Sequence, residues 1–127
     1  MAPTFNEKPG DLIEIFLWGY QHWAVYIGEN EVVTFVKDVS PSSGSFEGLS
    51  SRGEVKLEKL TDVVGNDRCQ VNNLLDEEYK ARKPSIIVEV ARRMEGDEPE
   101  YDLVTYNSKH FAIEMRYGKA ESRQVCI

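Results

Sequence analysis

The run His22-Trp23-Ala24-Val25-Tyr26-Ile27-Gly28 constrains the fold of this chain more than any other stretch. Its aromatic and β-branched residues suit a pleated, packed surface better than a helix. The polar pair Glu29-Asn30 follows, then a second run of the same kind, Glu31-Val32-Val33-Thr34-Phe35-Val36. Two such runs joined by a two-residue turn predict a β-hairpin. Leu12-Ile13-Glu14-Ile15-Phe16, entered through the turn signal Pro9-Gly10-Asp11 and broken by Gly19, predicts a strand ahead of it. Residues 38 to 53 hold Ser, Gly and Pro with few large apolar side chains and predict a long loop. Glu54-Val55-Lys56-Leu57-Glu58-Lys59-Leu60 alternates strictly, as a strand with one solvated face does. Cys69-Gln70-Val71-Asn72-Asn73 predicts a further short strand ending in a turn.

Beyond this point the period changes. Pro84 and Ser85 open a helix in which Ile86, Ile87, Val90, Ala91 and Met94 fall on one face, and Gly96 ends it. Tyr101-Asp102-Leu103-Val104-Thr105 reads as extended or as a short linker. Asn107 is a helix N-cap, Phe111, Ala112 and Met115 give the next helix a buried stripe, and Gly118 is placed to cap its C-terminus. Strands first and helices later imply an α+β fold, an antiparallel sheet packed with helices. At 127 residues the chain is expected to form one domain with a substantial core.

Net charge is -7, which argues against a nucleic-acid partner, since such a partner needs a basic face. Lys80-Ala81-Arg82-Lys83 and Arg92-Arg93 are basic clusters, read as a solvated loop and a helix face. Two cysteines, Cys69 and Cys126, allow one disulfide but indicate no disulfide framework. Cys69 is expected to be a small packing residue. The N-terminal residues lack the apolar run of a signal peptide, and no stretch approaches the ~20 apolar residues of a membrane span. A reducing, cytoplasmic location is therefore expected. No metal-ligand spacing and no phosphate-cradling glycine loop occurs, so neither a metal nor a cofactor is expected.

The chain has two histidines. His22 begins an apolar strand and His110 lies in the first turn of a helix. Ser108 directly follows the N-cap Asn107, so its side chain lies at a helix N-terminus. Backbone N–H groups and the helix dipole favour negative charge there, which suits an activated nucleophile or an oxyanion. The bland alternative is a second capping serine.

Pro9-Gly10-Asp11-Leu12-Ile13-Glu14, the block from Gly19 through His22 to Gly28, and Asp62-Val63-Val64-Gly65-Asn66-Asp67 carry a family resemblance. So do Val71-Asn72-Asn73 and Arg116-Tyr117-Gly118. Together these blocks resemble the HRAS-like suppressor family. Those proteins are the phospholipase A and acyltransferase enzymes of the lecithin:retinol acyltransferase superfamily, relatives of NlpC-type peptidases. The resemblance runs in order from about Pro9 to Val125. It implies a circularly permuted papain-like α+β domain. It also implies a nucleophilic cysteine in an Asn-Cys-Glu-His-Phe motif, which here reads Asn107-Ser108-Lys109-His110-Phe111. The family's strand histidine, the base, falls on His22. Its second histidine, which polarises the first, falls on Thr34.

Two of the three family triad positions, Ser108 and Thr34, are thus substituted, and Lys109 stands where the family has Glu. A serine hydroxyl needs a strong, well-oriented base throughout the attack, whereas a thiol beside histidine ionises readily. Thr34 offers a hydroxyl hydrogen bond but stabilises an imidazolium poorly. The expected function is a catalytically impaired or inactive member of this lipid-metabolising family, a pseudoenzyme acting through a phospholipid, an acyl chain or a protein partner. The alternative is an active phospholipid acyl hydrolase or N-acyltransferase using Ser108 and His22 through an acyl-enzyme. Virus-encoded relatives that act as interaction proteins are a third class. A monomer with peripheral membrane contact is expected, membrane-associated if an anchor beyond Ile127 was removed.

Overall fold

The computed structural model describes residues 7–17, 19–38, 52–98 and 107–118, with the backbone alone at 37, 38 and 52. Strands β1 (Leu12–Leu17), β2 (Tyr20–Gly28), β3 (Glu31–Asp38) and β4 (Arg52–Lys59) are followed by a short helix α1 (Leu60–Val64). Strand β5 (Arg68–Val71) and helices α2 (Pro84–Arg93) and α3 (Ser108–Tyr117) complete the described elements. The strands form one antiparallel sheet in the order β4-β3-β2-β1-β5. The α+β architecture is the one expected from the order of periods.

The hairpin turns at Glu29-Asn30, whose φ angles of 53° and 63° are both left-handed. A two-residue hairpin turn needs that geometry to match the strand twist. The Tyr26 hydroxyl accepts the Asn30 N–H at 3.1 Å and steadies the turn.

β2 reads as an almost continuous apolar run because both its faces are covered. Trp23, Val25 and Ile27 join Val33, Phe35 and Val55 in one core with Ile87, Ala91, Phe111, Ala112 and Met115 of α2 and α3. Ala24 and Tyr26 join Ile13, Ile15, Val32, Leu60 and Val64 in a second core on the opposite face. Alternation along the strand distributes successive side chains between the two.

Three readings of the sequence need correction. The loop assigned to residues 38 to 53 is shorter, because Arg52 and Gly53 pair with Asp38 and Lys37 and extend the β3–β4 ladder. Leu60 does not end a strand. It opens α1, and burial of Leu60 and Val64, four residues apart, holds this single turn against the sheet. Neither the Asp62-Val63-Val64 stretch nor Leu60 suggested a helix, since five residues carry too little periodicity. Ile86 is 40% exposed, whereas its neighbour Ile87 is fully buried. Adjacent helical residues diverge by about 100°, so one of the pair must leave the sheet. Cys126, the Tyr101–Thr105 stretch and most of the long loop lie outside the described residues. Cys69 carries a free thiol on β5, and burial, then the charge of Glu7, pushes its pKa up.

Candidate functional site

α3 begins with a complete capping box. The Asn107 side chain accepts from the N–H groups of Lys109 and His110 at 3.0 and 3.2 Å, and His110 Nδ1 accepts from the Asn107 N–H. His110 is therefore part of the cap. Gly118 ends the helix with φ 75°, and its N–H donates to the Glu114 carbonyl at 2.8 Å.

Two anchors hold the far end of α3. The Arg116 guanidinium grips Asp76 in a two-pronged pair at 3.0 and 2.9 Å and donates to the Gly10 carbonyl at 2.8 Å. The Tyr117 hydroxyl donates to Asp76 at 2.6 Å. Arg82 donates to the Met115 carbonyl at 2.8 Å, filling an acceptor that the helix end leaves open. Along its length α3 packs on the sheet, where the Phe35 and Phe111 rings stack with centroids 6.5 Å apart. The helix is thus fixed at both ends and along one face, which sets where Ser108 lies.

The matches at Val71-Asn72-Asn73 and Arg116-Tyr117-Gly118 now acquire a physical role. The Asn73 side chain accepts the Leu12 N–H at 2.8 Å, and Arg116 ties α3 to the turn before β1. Sequence reasoning missed Asp76 and Arg82, because a lone charge in a loop carries no periodic signal. Burial acts to raise the Asp76 pKa, but the Arg116 and Tyr117 hydrogen bonds and the Arg116 charge together hold it below the ordinary value. Burial and then the bond to Asp76 push Tyr117 up to about 12.

As pH falls, the unfolded chain therefore takes up the Asp76 proton before the folded one does. Stability from this group should be complete above the ordinary aspartate pKa of about 3.9 and decline as pH falls through the depressed folded value. Urea unfolding midpoints between pH 6 and 2 test this. Asp76→Asn should lower the midpoint at pH 6 and flatten its acid decline.

The β2–β3 ladder stops short of Trp23, near the start of α3. The ladder pairs of β2 with β3 are Val25↔Val33, Tyr26↔Val32 and Gly28↔Glu31, so the N–H and C=O of Trp23 lie beyond its last pair. Side chains take over. The Trp23 N–H donates to Ser108 Oγ at 3.0 Å, and the Thr34 hydroxyl donates to the Trp23 carbonyl at 2.6 Å. Thr34 is fully buried and Ser108 is 8% exposed. A buried backbone group without a partner is costly, so both hydroxyls serve the fold.

Thr34 Oγ1 also lies 3.0 Å from His22 Nε2. A threonine hydroxyl has one proton, and it is committed to the Trp23 carbonyl. Thr34 must then accept from His22, which makes Nε2 the protonated nitrogen of the neutral ring and leaves Nδ1 with the lone pair. Burial lowers the His22 pKa, favouring that neutral form. Among the described residues, no hydrogen bond joins Ser108 Oγ directly to the His22 ring; the bond on Oγ comes from Trp23. Both side chains line one cleft of about 550 Å³ with Tyr20, Trp23, Phe35 and Lys109. The three residues expected from the family triad thus gather around the Trp23 backbone.

Thr34→Val keeps the side-chain shape but removes the partner of the Trp23 carbonyl. It should cost about 1–3 kcal/mol in chemical denaturation. An unchanged midpoint would mean that the carbonyl finds another partner.

The start of α3, with Ser108 in the same cleft as the strand residue His22 on an antiparallel sheet, is the arrangement of the papain-like α+β class. Within that class, residues 6–121 match the family model described as lecithin retinol acyltransferase. The chain is 44% identical to human phospholipase A and acyltransferase 4, over 98% of this chain and 78% of that protein. It is 41% identical to human phospholipase A and acyltransferase 3, over 98% of this chain and 79% of that protein. With human phospholipase A and acyltransferase 1 it shares 42% identity over 94% of this chain and 73% of that protein. The chain belongs to the lecithin retinol acyltransferase family.

Proposed function

We propose that this chain is a lipid-binding member of its family whose acyl-transfer centre has been retired. One observation carries the reading: the two substituted triad positions, Ser108 and Thr34, both hydrogen bond to the backbone of Trp23. Ser108 Oγ already accepts a hydrogen bond, and Thr34 holds the His22 ring with an uncharged oxygen. Attack by serine transfers its proton to histidine and needs a group that stabilises the resulting imidazolium. Thr34 has no charge to offer, and burial lowers the basicity of His22. Catalysis would demand the strongest base where the environment favours the neutral ring.

The names of the relatives support a phospholipid or acyl ligand in the cleft. The purified chain should therefore associate with dispersed phosphatidylcholine yet release fatty acid no faster than the lipid alone. Fatty-acid release that disappears in both His22→Ala and Ser108→Ala, with both variants folded, would establish a working serine enzyme instead. Absence of lipid association would remove the binding half of the proposal and favour a protein partner.

A further inference from the structure

We infer that Ser85 is a phosphorylation site for a serine kinase that reads basic side chains ahead of its acceptor, and that the phosphate stabilises the start of α2. This goes beyond the lipid-binding reading and does not depend on it.

The chain around Ser85 reads Lys80-Ala81-Arg82-Lys83-Pro84-Ser85-Ile86. Basic side chains thus stand two, three and five residues ahead of the hydroxyl, and an apolar one directly follows it. Ser85 is the one serine or threonine of the chain with Lys or Arg at both the second and third positions ahead of it. Kinases select substrates partly by such charge patterns, because carboxylates in the substrate groove pair with the basic side chains. A chain of net charge -7 would otherwise repel that groove, so the local run decides the encounter.

The segment is open to a partner. Lys80, Lys83, Pro84, Ser85 and Ile86 are all exposed. Among the described residues Ser85 Oγ has no hydrogen-bond partner, and neither Lys80 nor Lys83 has an ion pair. Ile86, 40% exposed, faces outward where an apolar pocket of the kinase can take it. Arg82 is the held residue. It donates to the Met115 and Glu114 carbonyls at 2.8 and 3.3 Å, so the kinase must draw it away from the end of α3. Residues 80–83 belong to no helix or strand, and Lys83 is already extended, with φ -61° and ψ 142°. The remaining change is confined to the first turn of α2, and helix ends open most readily.

In the reaction Ser85 Oγ attacks the γ-phosphorus of an ATP held by the kinase. A bond forms between them, the bond from that phosphorus to the β–γ bridging oxygen breaks, and ADP leaves. The hydroxyl proton passes to the catalytic carboxylate of the kinase. The product places a charge of about -1.5 to -2 in the first turn of α2. That turn contains no acidic residue, and its cap Lys83 supplies no side-chain hydrogen bond. An anion there meets the positive end of the helix dipole. Glu89 lies one turn further on, but its carboxylate is paired with Arg93 at 2.7 Å. Arg92 and Arg93 line the same groove as Ser85, so cations flank the phosphate.

The folded full chain, incubated with ATP, Mg²⁺ and the catalytic subunit of cyclic-AMP-dependent protein kinase, tests the inference by mass spectrometry. One phosphate per chain is expected, located at Ser85 and lost in Ser85→Ala. Lys83→Glu and Ile86→Asp, both at exposed positions and checked for folding by circular dichroism, should each slow incorporation at least about tenfold. In the phosphorylated chain the α2 amides should exchange hydrogen about two- to fivefold more slowly, the scale of one added anion at a helix N-terminus. No incorporation into the folded chain, phosphate located elsewhere than Ser85, or a rate unchanged by either substitution overturns the assignment of the site. Unchanged or faster exchange in α2 overturns the stabilising role of the phosphate.

Discussion

The Ser108→Cys, Thr34→His double substitution is expected to raise fatty-acid release from dispersed phosphatidylcholine by at least about two orders of magnitude, the scale of a recovered acid–base catalytic partner. A thiol with an ordinary pKa of about 8.5 ionises readily at a helix N-terminus beside histidine, and a serine hydroxyl does not. At position 108 the surroundings are in place: the capped start of α3, the Trp23 N–H at 3.0 Å, and His22 in the same cleft. At position 34 a second imidazole would replace a neutral hydroxyl with a group that polarises His22. Each single substitution should recover much less, because nucleophile and oriented base act as a unit. Adding His22→Ala should return release to background. The double variant should also lose stability, since Thr34 is fully buried and its bond to the Trp23 carbonyl is removed. A folded double variant at background would show that the defect lies elsewhere than in these two positions.

Gly53→Val is expected to be the most damaging single substitution outside the site. A Cβ at Gly53 would overlap the Phe35 ring, which lies across the glycine backbone. Phe35 is 1% exposed and stacks on Phe111, so the ring has nowhere to go. Overpacking a rigid core costs typically 1–3 kcal/mol, and this overlap of ring and Cβ belongs at or above the top of that range, about 3 kcal/mol. Thermal and urea unfolding give the measurement. Gly53→Ala should lower the midpoint as well, because even a methyl group at this position meets the Phe35 ring. A midpoint within experimental error of the unsubstituted chain would mean that the ring has an alternative position.

The hairpin, the short strand at Cys69, both longer helices and the caps at Asn107 and Gly118 were legible because each rests on local chemistry. Strand alternation, turn residues and capping act within a few positions along the chain. The junctions were less legible. Gly53 looks like a loop residue until Phe35 is placed over it, eighteen positions away. Likewise Leu60 looks like the end of an alternating strand until the second core takes its side chain. Ile86 and Ile87 are chemically alike, and the direction of the helix relative to the sheet decides which is buried.

The same division applies to the candidate site. His22, Thr34 and Ser108 were located through ordered motif matches, which survive as a linear pattern. Their relation to the Trp23 backbone was not legible, because it depends on where the β2–β3 ladder ends. By itself the sequence determined the period of the longer elements, the class of fold, the family, and the expectation that Ser108 and Thr34 stand at substituted triad positions. The tertiary structure alone decided what those substituted side chains do, because hydrogen bonds between residues 23, 34 and 108 exist only after the sheet and α3 have brought them together.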